Sequence, residues 1–274
     1  MKKDGHTHTE FCPHGSFEPV EKMIQQAIKL GFKEYAITEH APLPPDFAEV
    51  YAGEPQGLQT ASMSFNDLPL YFTTMEGLQQ KYASDLNIKI GFEMDYLPLF
   101  ENWTKDFLTE YGPRTQDGIL SVHFQAGQGG WWCLDYTPEE FETGLVSHYQ
   151  DFPTIYQEYF NLIHQSLTAD LGPFKPQRLG HMTLIQKFEQ FFPQDTAFSQ
   201  TNRQYLKELL AEIAQKKYQL DFNTAGLDKP FYQQTYPSAD ILKEAQALGI
   251  PFVFGSDAHS IAEVGRHYQR FSNI

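Results

Sequence analysis

The chain has 274 residues, with 20 Lys and Arg against 35 Asp and Glu, a formal net charge of −15 with His neutral. That balance argues against a nucleic-acid partner, because duplex binding needs a basic face to neutralise phosphates, and 41% hydrophobic with 15% aromatic residues is too apolar for a disordered chain. No apolar run of about 18 residues is present and the opening MKKDGHTHTE lacks an export core, so a soluble cytoplasmic protein with no membrane partner is expected; two cysteines, Cys12 and Cys133, suit a reducing compartment.

Taken in chain order, the first clear helix follows Ser16. It has Pro19 near its first turn, Val20, Met23, Ile24, Ala27 and Ile28 on one stripe, and Gly31 after its end. Candidate strands fall at 2–8, 34–39, 88–95, 117–124, 177–181, 218–223 and 252–256, and helical stretches at 71–84, 152–168, 203–216 and 238–248. Serial strand–helix units imply a parallel sheet with helices outside it, and seven of them suggest a closed, slightly irregular barrel. Two stretches break the alternation: 41–66, rich in Pro and Gly, and 125–150, which holds Gly127, Gly129, Gly130, Trp131 and Trp132. Both follow strand ends, where barrel enzymes build their sites. With no repeat, low-complexity tract or linker, residues 1–274 read as one domain.

Seven of the ten histidines, His6, His8, His14, His40, His123, His181 and His259, sit at or just past a predicted strand's C-terminal end. In a parallel barrel those ends open on one face, so the seven would meet there. His6 and His8 lie two apart, sharing one face of a strand. Glu93, after an apolar strand, and Asp257, two residues before His259, add carboxylates to the same rim. Nitrogen and oxygen donors without thiolates suit Zn²⁺, Fe²⁺ or Mn²⁺. Cys12 reads as a small packed thiol, and His148, His164 and His267 as ordinary residues.

In that order, His6-Thr7-His8-Thr9, Thr38-Glu39-His40, Glu93, Ser121-Val122-His123-Phe124, Gly180-His181 and Gly255-Ser256-Asp257-Ala258-His259 resemble the motifs of the polymerase and histidinol phosphatase (PHP) family. The opening HTHTEFCPHG and the SVHF segment are most similar to its histidinol-phosphate phosphatase branch. The resemblance implies a distorted seven-stranded (β/α)7 barrel of TIM-like type, with long inserted loops on the active-site face, carrying three divalent metal ions. It places His6, His8, Glu93 and Asp257 on the first ion, Glu93, His123 and His181 on the second, and His14, His40 and His259 on the third. The family often has Asp where this chain has Glu39, leaving Glu39 to orient a ligand or face the substrate.

The implied activity is hydrolysis of L-histidinol phosphate to L-histidinol and phosphate, a step of histidine biosynthesis, by a hydroxide bridging the first two ions. Three divalent ions less Glu93, Asp257 and that hydroxide leave a site charge of about +3, suited to a phosphate dianion in an acidic protein. Glu93 would bridge metals, and Asp257 or His259 could serve the leaving alkoxide. Arg178 and Lys187 are candidates for phosphate contact, Phe124, Trp131 and Trp132 for stacking the imidazole, and Glu39, Asp95 or Asp135 for accepting from the amine or ring N–H. A nuclease or nucleotide phosphatase of the same family, and a metal-binding scaffold or sensor without turnover, are the alternatives.

Overall fold

The computed structural model describes residues 1–272. Its main sheet has seven parallel strands in the order β1 (Lys3–Asp4), β2 (Glu34–His40), β3 (Asn87–Asp95), β4 (Asp117–Ser121), β7 (Arg178–Leu179), β8 (Gln219–Asn223) and β9 (Phe252–Gly255). A separate hairpin consists of β5 (Phe124–Gly127) and β6 (Gly130–Cys133). The sheet closes on itself past the formal strand ends. Gly5 N donates to Phe254 O at 2.7 Å, Asp257 N to His6 O at 2.8 Å and His8 N to Ala258 O at 2.9 Å, and buried Asp4 accepts from Ser256 N and Oγ at 3.0 and 2.6 Å. The result is the expected irregular seven-stranded barrel.

Strands β2 and β3 are buried almost from end to end, as parallel strands must be when side chains fill the barrel on one face and helices cover the other. Six helices of nine or more residues supply that cover: α1 (Val20–Lys29), α2 (Leu68–Lys81), α3 (Glu101–Tyr111), α4 (Phe152–Thr168), α5 (Gln200–Gln215) and α6 (Ala239–Ala247). Helix α1 buries the expected Val20, Met23, Ile24 and Ala27. Helix α2 begins three residues before its expected start, because Pro69 occupies an early position where its missing N–H costs nothing. Helix α5 is closed by a capping box between Ser199 and Asn202.

The strand expected at 117–124 is two elements. β4 stops at Ser121, and Phe124 opens the hairpin, whose tip uses Gly129 at φ +75°. Trp131 N donates to Val50 O and Ala52 N to Trp131 O, both at 2.8 Å, so the hairpin sews the 41–66 and 125–150 insertions together. No helix among the described residues is long and apolar enough to cross a membrane, and both cysteines are buried and free.

Candidate metal centre

The barrel delivers its polar side chains to the C-terminal end of the sheet. Parallel register sets His40, the last residue of β2, opposite Glu93 on β3. His123 and His181 lie two residues past β4 and β7, and Asp257 two past β9. Asp257 adopts φ +51°, a left-handed conformation that Asp tolerates better than most side chains. Arg266 holds it there by donating to Ser256 O at 2.7 Å and Asp257 O at 2.8 Å. Gly255 is required beside it, since a Cβ would run into His6 and the Asp221 carboxylate.

Four ligand atoms surround one point. Glu93 Oε2 lies 3.0 Å from His6 Nε2 and 3.5 Å from His8 Nε2, and Asp257 Oδ1 lies 3.6 and 3.1 Å from the same nitrogens. Donors held about 2.0–2.2 Å from a tetrahedral ion stand about 3.3–3.6 Å from one another. The other oxygen of Glu93 faces a second group: Oε1 is 2.7 Å from His181 Nε2 and 3.5 Å from His123 Nε2, and those nitrogens are 3.1 Å apart. Ser121 Oγ donates to the same Oε1 at 2.6 Å.

A third pair makes the need for a cation explicit. His14 Nδ1 donates to Thr60 O at 2.7 Å and His259 Nδ1 to Asp257 O at 3.0 Å. Carbonyls cannot donate, so each neutral ring carries its hydrogen on Nδ1 and turns a bare Nε2 lone pair toward the other, 3.0 Å away. Two lone pairs at that separation call for a positive charge between them. His40 joins His259, His8 and Cys12 in a group whose ligand atoms all lie within 4.8 Å. Buried His8 Nε2 and His40 Nδ1 make no hydrogen bond, although carboxylate oxygens stand 3.1 and 3.4 Å away. The donor set fits divalent metal ions.

Carboxylates behind the rings aim them. Asp221 accepts from His6 Nδ1 at 2.6 Å, Glu39 from His8 Nδ1 at 3.1 Å and Asp95 from His123 Nδ1 at 2.9 Å, the arrangement that fixes a metal-binding tautomer. Burial alone would lower the pKa of His8, but the close Asp257 carboxylate and the hydrogen-bonded Glu39 outweigh it and raise it to about 9. His123 follows the same pattern, with burial opposed by Asp95 and Glu93 and a pKa near 10. His14, His40 and His259 are pushed down, by burial first, with the charge of His8 adding to it. Burial opposes the ionised forms of Glu93 and Asp257, yet the surrounding imidazoles hold both well below the usual carboxylate range. Burial also drives the Cys12 thiol far up, so it stays protonated.

All nine residues expected to bind metal therefore converge, whereas the residues expected to bind substrate mostly do not. Arg178 starts β7 at the opposite end of the barrel, where it is 1% exposed, donates to Gly5 O at 2.6 Å and pairs with Asp117 at 3.0 Å. It cannot reach a phosphate at the rim. Phe124, Trp131 and Trp132 are packing residues: Phe124 is fully buried against Phe47 and Tyr51, Trp131 packs on Phe47, and Trp132 covers Gly144 while its Nε1 donates to Gln128 O. Glu39 is fully buried, accepting from Thr9 N and Oγ1 as well as His8, and Asp95 accepts from His123 N and Nδ1. These two carboxylates are tied to His8 and His123, and neither lines the cavity above the cluster. Lys187 does line the cavity above the cluster, tied to Asp135. His148, His164 and His267 pair elsewhere, with Tyr149, Glu212 and Asp228.

That cavity, of about 340 Å³, is also lined by Tyr136, Lys229, Tyr236, Glu263 and Arg266, none of which sequence reasoning singled out. Asp221 was missed too. Its signal was a carboxylate inside the apolar strand Leu220-Asp221-Phe222.

Comparison with known proteins gives a consistent result. The family model described as PHP domain matches residues 4–225, and one described as PHP-associated matches 240–274. The histidinol-phosphatase of Bacillus subtilis (strain 168) is 40% identical over 271 residues, covering 99% of this chain and 98% of the relative. A crystal structure of a candidate histidinol phosphatase from Listeria monocytogenes superposes with a TM-score of 0.96 at 50% identity, covering 98% of this chain and all of that one. The histidinol phosphate phosphatase of Lactococcus lactis, solved with zinc, L-histidinol and phosphate, shares the fold at a TM-score of 0.65 and 23% identity, covering 99% of this chain and 93% of that one.

Proposed function

This chain belongs to the PHP family, and from that premise we propose that it is a metal-dependent phosphomonoesterase that hydrolyses L-histidinol phosphate to L-histidinol and phosphate. The observation that carries the proposal is Glu93, whose two oxygens face two different pairs of imidazoles at 3.0 Å (His6) and 2.7 Å (His181). A carboxylate so placed joins two cation sites. The relative from Bacillus subtilis bears the matching name over nearly its full length.

His6, His8, Glu93 and Asp257 would hold one ion, Glu93, His123 and His181 a second, and His14, His40 and His259 a third, in a site suited to Zn²⁺, Fe²⁺ or Mn²⁺. Bound divalent ions lower the pKa of coordinated water from about 15.7 toward 7 and offset charge on phosphoryl oxygens. The chain supplies the rest. Asp221, Glu39 and Asp95 hold the rings in register, Asp257 and His259 line the cavity where a proton must reach the leaving alkoxide, and Asp135 with Tyr136 offers acceptors for the amine or imidazole N–H. We read 1–274 as one cytoplasmic catalytic unit, because the closing strand, Asp257 and His259 all lie in the stretch matched by the PHP-associated model.

Phosphate release from L-histidinol phosphate, compared with a panel of phosphomonoesters, tests the reading. A preference for L-histidinol phosphate is expected, and turnover no better than that of a generic aryl phosphate would refute the substrate assignment.

A further inference from the structure

Charge matching across the cavity leaves one cation over. Lys187 Nζ is taken up by Asp135, at 2.6 Å from its carbonyl and 3.0 Å from its carboxylate. Arg266 is spread over Ser256 O, Asp257 O and the Glu263 carboxylate, the last at 3.2 Å. Glu93 and Asp257 face imidazoles. Lys229 lines the same cavity, and its ammonium has no hydrogen-bond or ion-pair partner among the described residues.

Its backbone, by contrast, is well fixed. Lys229 ends the helical turn Ala225–Asp228 that follows β8, on the metal face. Its N donates to Gly226 O, and its O accepts from Tyr232 N and Gln233 N, each at 3.2 Å. Burial lowers its pKa, neighbouring Lys187 lowers it further, and Asp257 only partly opposes them. A cation held in such a place, only partly offset by Asp257 and Asp135 and with no hydrogen-bonded or ion-paired partner among the described residues, is open to an anion.

We propose that Lys229 is a phosphate-binding residue, its ammonium taking the phosphoryl group of the substrate and the phosphate product beside the metal centre. The proposal rests on the phosphomonoesterase reading. L-Histidinol phosphate carries its only negative charge at the phosphate, with the amine on the carbon next to the ester-bearing one and the imidazole at the far end, so the Lys229 ammonium favours the phosphoryl group over the rest of the molecule. It thereby anchors the phosphoryl end of the substrate, a task that Arg178, buried against Gly5 O and Asp117, cannot perform.

The test uses the metal-loaded chain and labelled inorganic phosphate in equilibrium dialysis, so that it does not depend on turnover. Lys229→Met should weaken phosphate binding about tenfold or more, the scale of a lost hydrogen bond to a charged group, and raise KM for L-histidinol phosphate in step. Metal content and inhibition by L-histidinol should stay at the wild-type level, and Lys229→Arg should recover most of the phosphate binding. Unchanged phosphate binding in Lys229→Met overturns the proposal, as does parallel loss of L-histidinol inhibition or of metal, either of which marks a structural role. Should the Met variant fail to fold, Lys229→Gln carries the same comparison. Lys229-dependent phosphate binding in a chain that does not turn over L-histidinol phosphate would refute the substrate assignment and leave the phosphate contact standing.

Discussion

Asp221 accepts a hydrogen bond from Nδ1 of His6 at 2.6 Å, and both residues are buried. The carboxylate, 215 positions away in sequence, keeps the His6 hydrogen on Nδ1 and leaves Nε2 for Glu93, Asp257 and a cation. Asp221→Asn should keep the fold and lower metal affinity about 10–100-fold, the usual cost of losing such a partner. Equilibrium dialysis against a competing chelator checks this; wild-type affinity in the variant would contradict it.

Loading metal should release protons. With pKa values near 9 and 10, His8 and His123 are protonated in the metal-free chain at pH 7, and a ligating imidazole must be neutral. Both values are raised above the unfolded reference of about 6.5, so their contribution to metal-free stability is complete below that pH and disappears as pH rises through 9 to 10. Metal binding runs the other way, tightening as pH rises. A pH indicator in weak buffer should record at least these two protons per chain on metal addition at pH 7, and no release would refute the protonated metal-free state.

Glu93→Gln removes the charge that two groups of imidazoles share while nearly preserving shape and the acceptor for Ser121. Activity should fall to background and metal content should drop, with the circular dichroism spectrum unchanged. Wild-type turnover in this variant would overturn the ligand scheme.

Arg178→Met should act on stability alone. The guanidinium holds Gly5 O and Asp117 inside the barrel, and its loss should cost about 2–4 kcal/mol, the range for breaking a buried charged hydrogen-bond partnership. Denaturant melts and steady-state kinetics together check this. A raised KM with unchanged stability would restore Arg178 to the substrate site.

The convergence of the imidazoles and carboxylates was legible in the sequence because strand ends in a parallel barrel share one face, so position in the strand–helix alternation locates His40, Glu93, His181 and Asp257 before any contact is known. The lining of the cavity above them was not. Being aromatic does not say which surface a ring meets, and Trp131 and Trp132 belong to a hairpin whose partners are residues 50–52, far away in the chain. Arg178 stands three residues before His181, which in an extended strand is about 10 Å further down the barrel, and Glu39 faces inward onto His8 because Thr9 and His8 fold over it. Lys229 gave no signal, since an unmatched charge appears only when its neighbours are assembled.

The most direct test of the account is phosphate release from L-histidinol phosphate by the chain as purified, after chelator stripping, and after reconstitution with Zn²⁺, Mn²⁺ or Fe²⁺, with bound metal counted alongside. Turnover that vanishes on stripping and returns in proportion to restored metal is the predicted result. Turnover indifferent to metal, or fully reloaded protein that leaves L-histidinol phosphate intact, would contradict it.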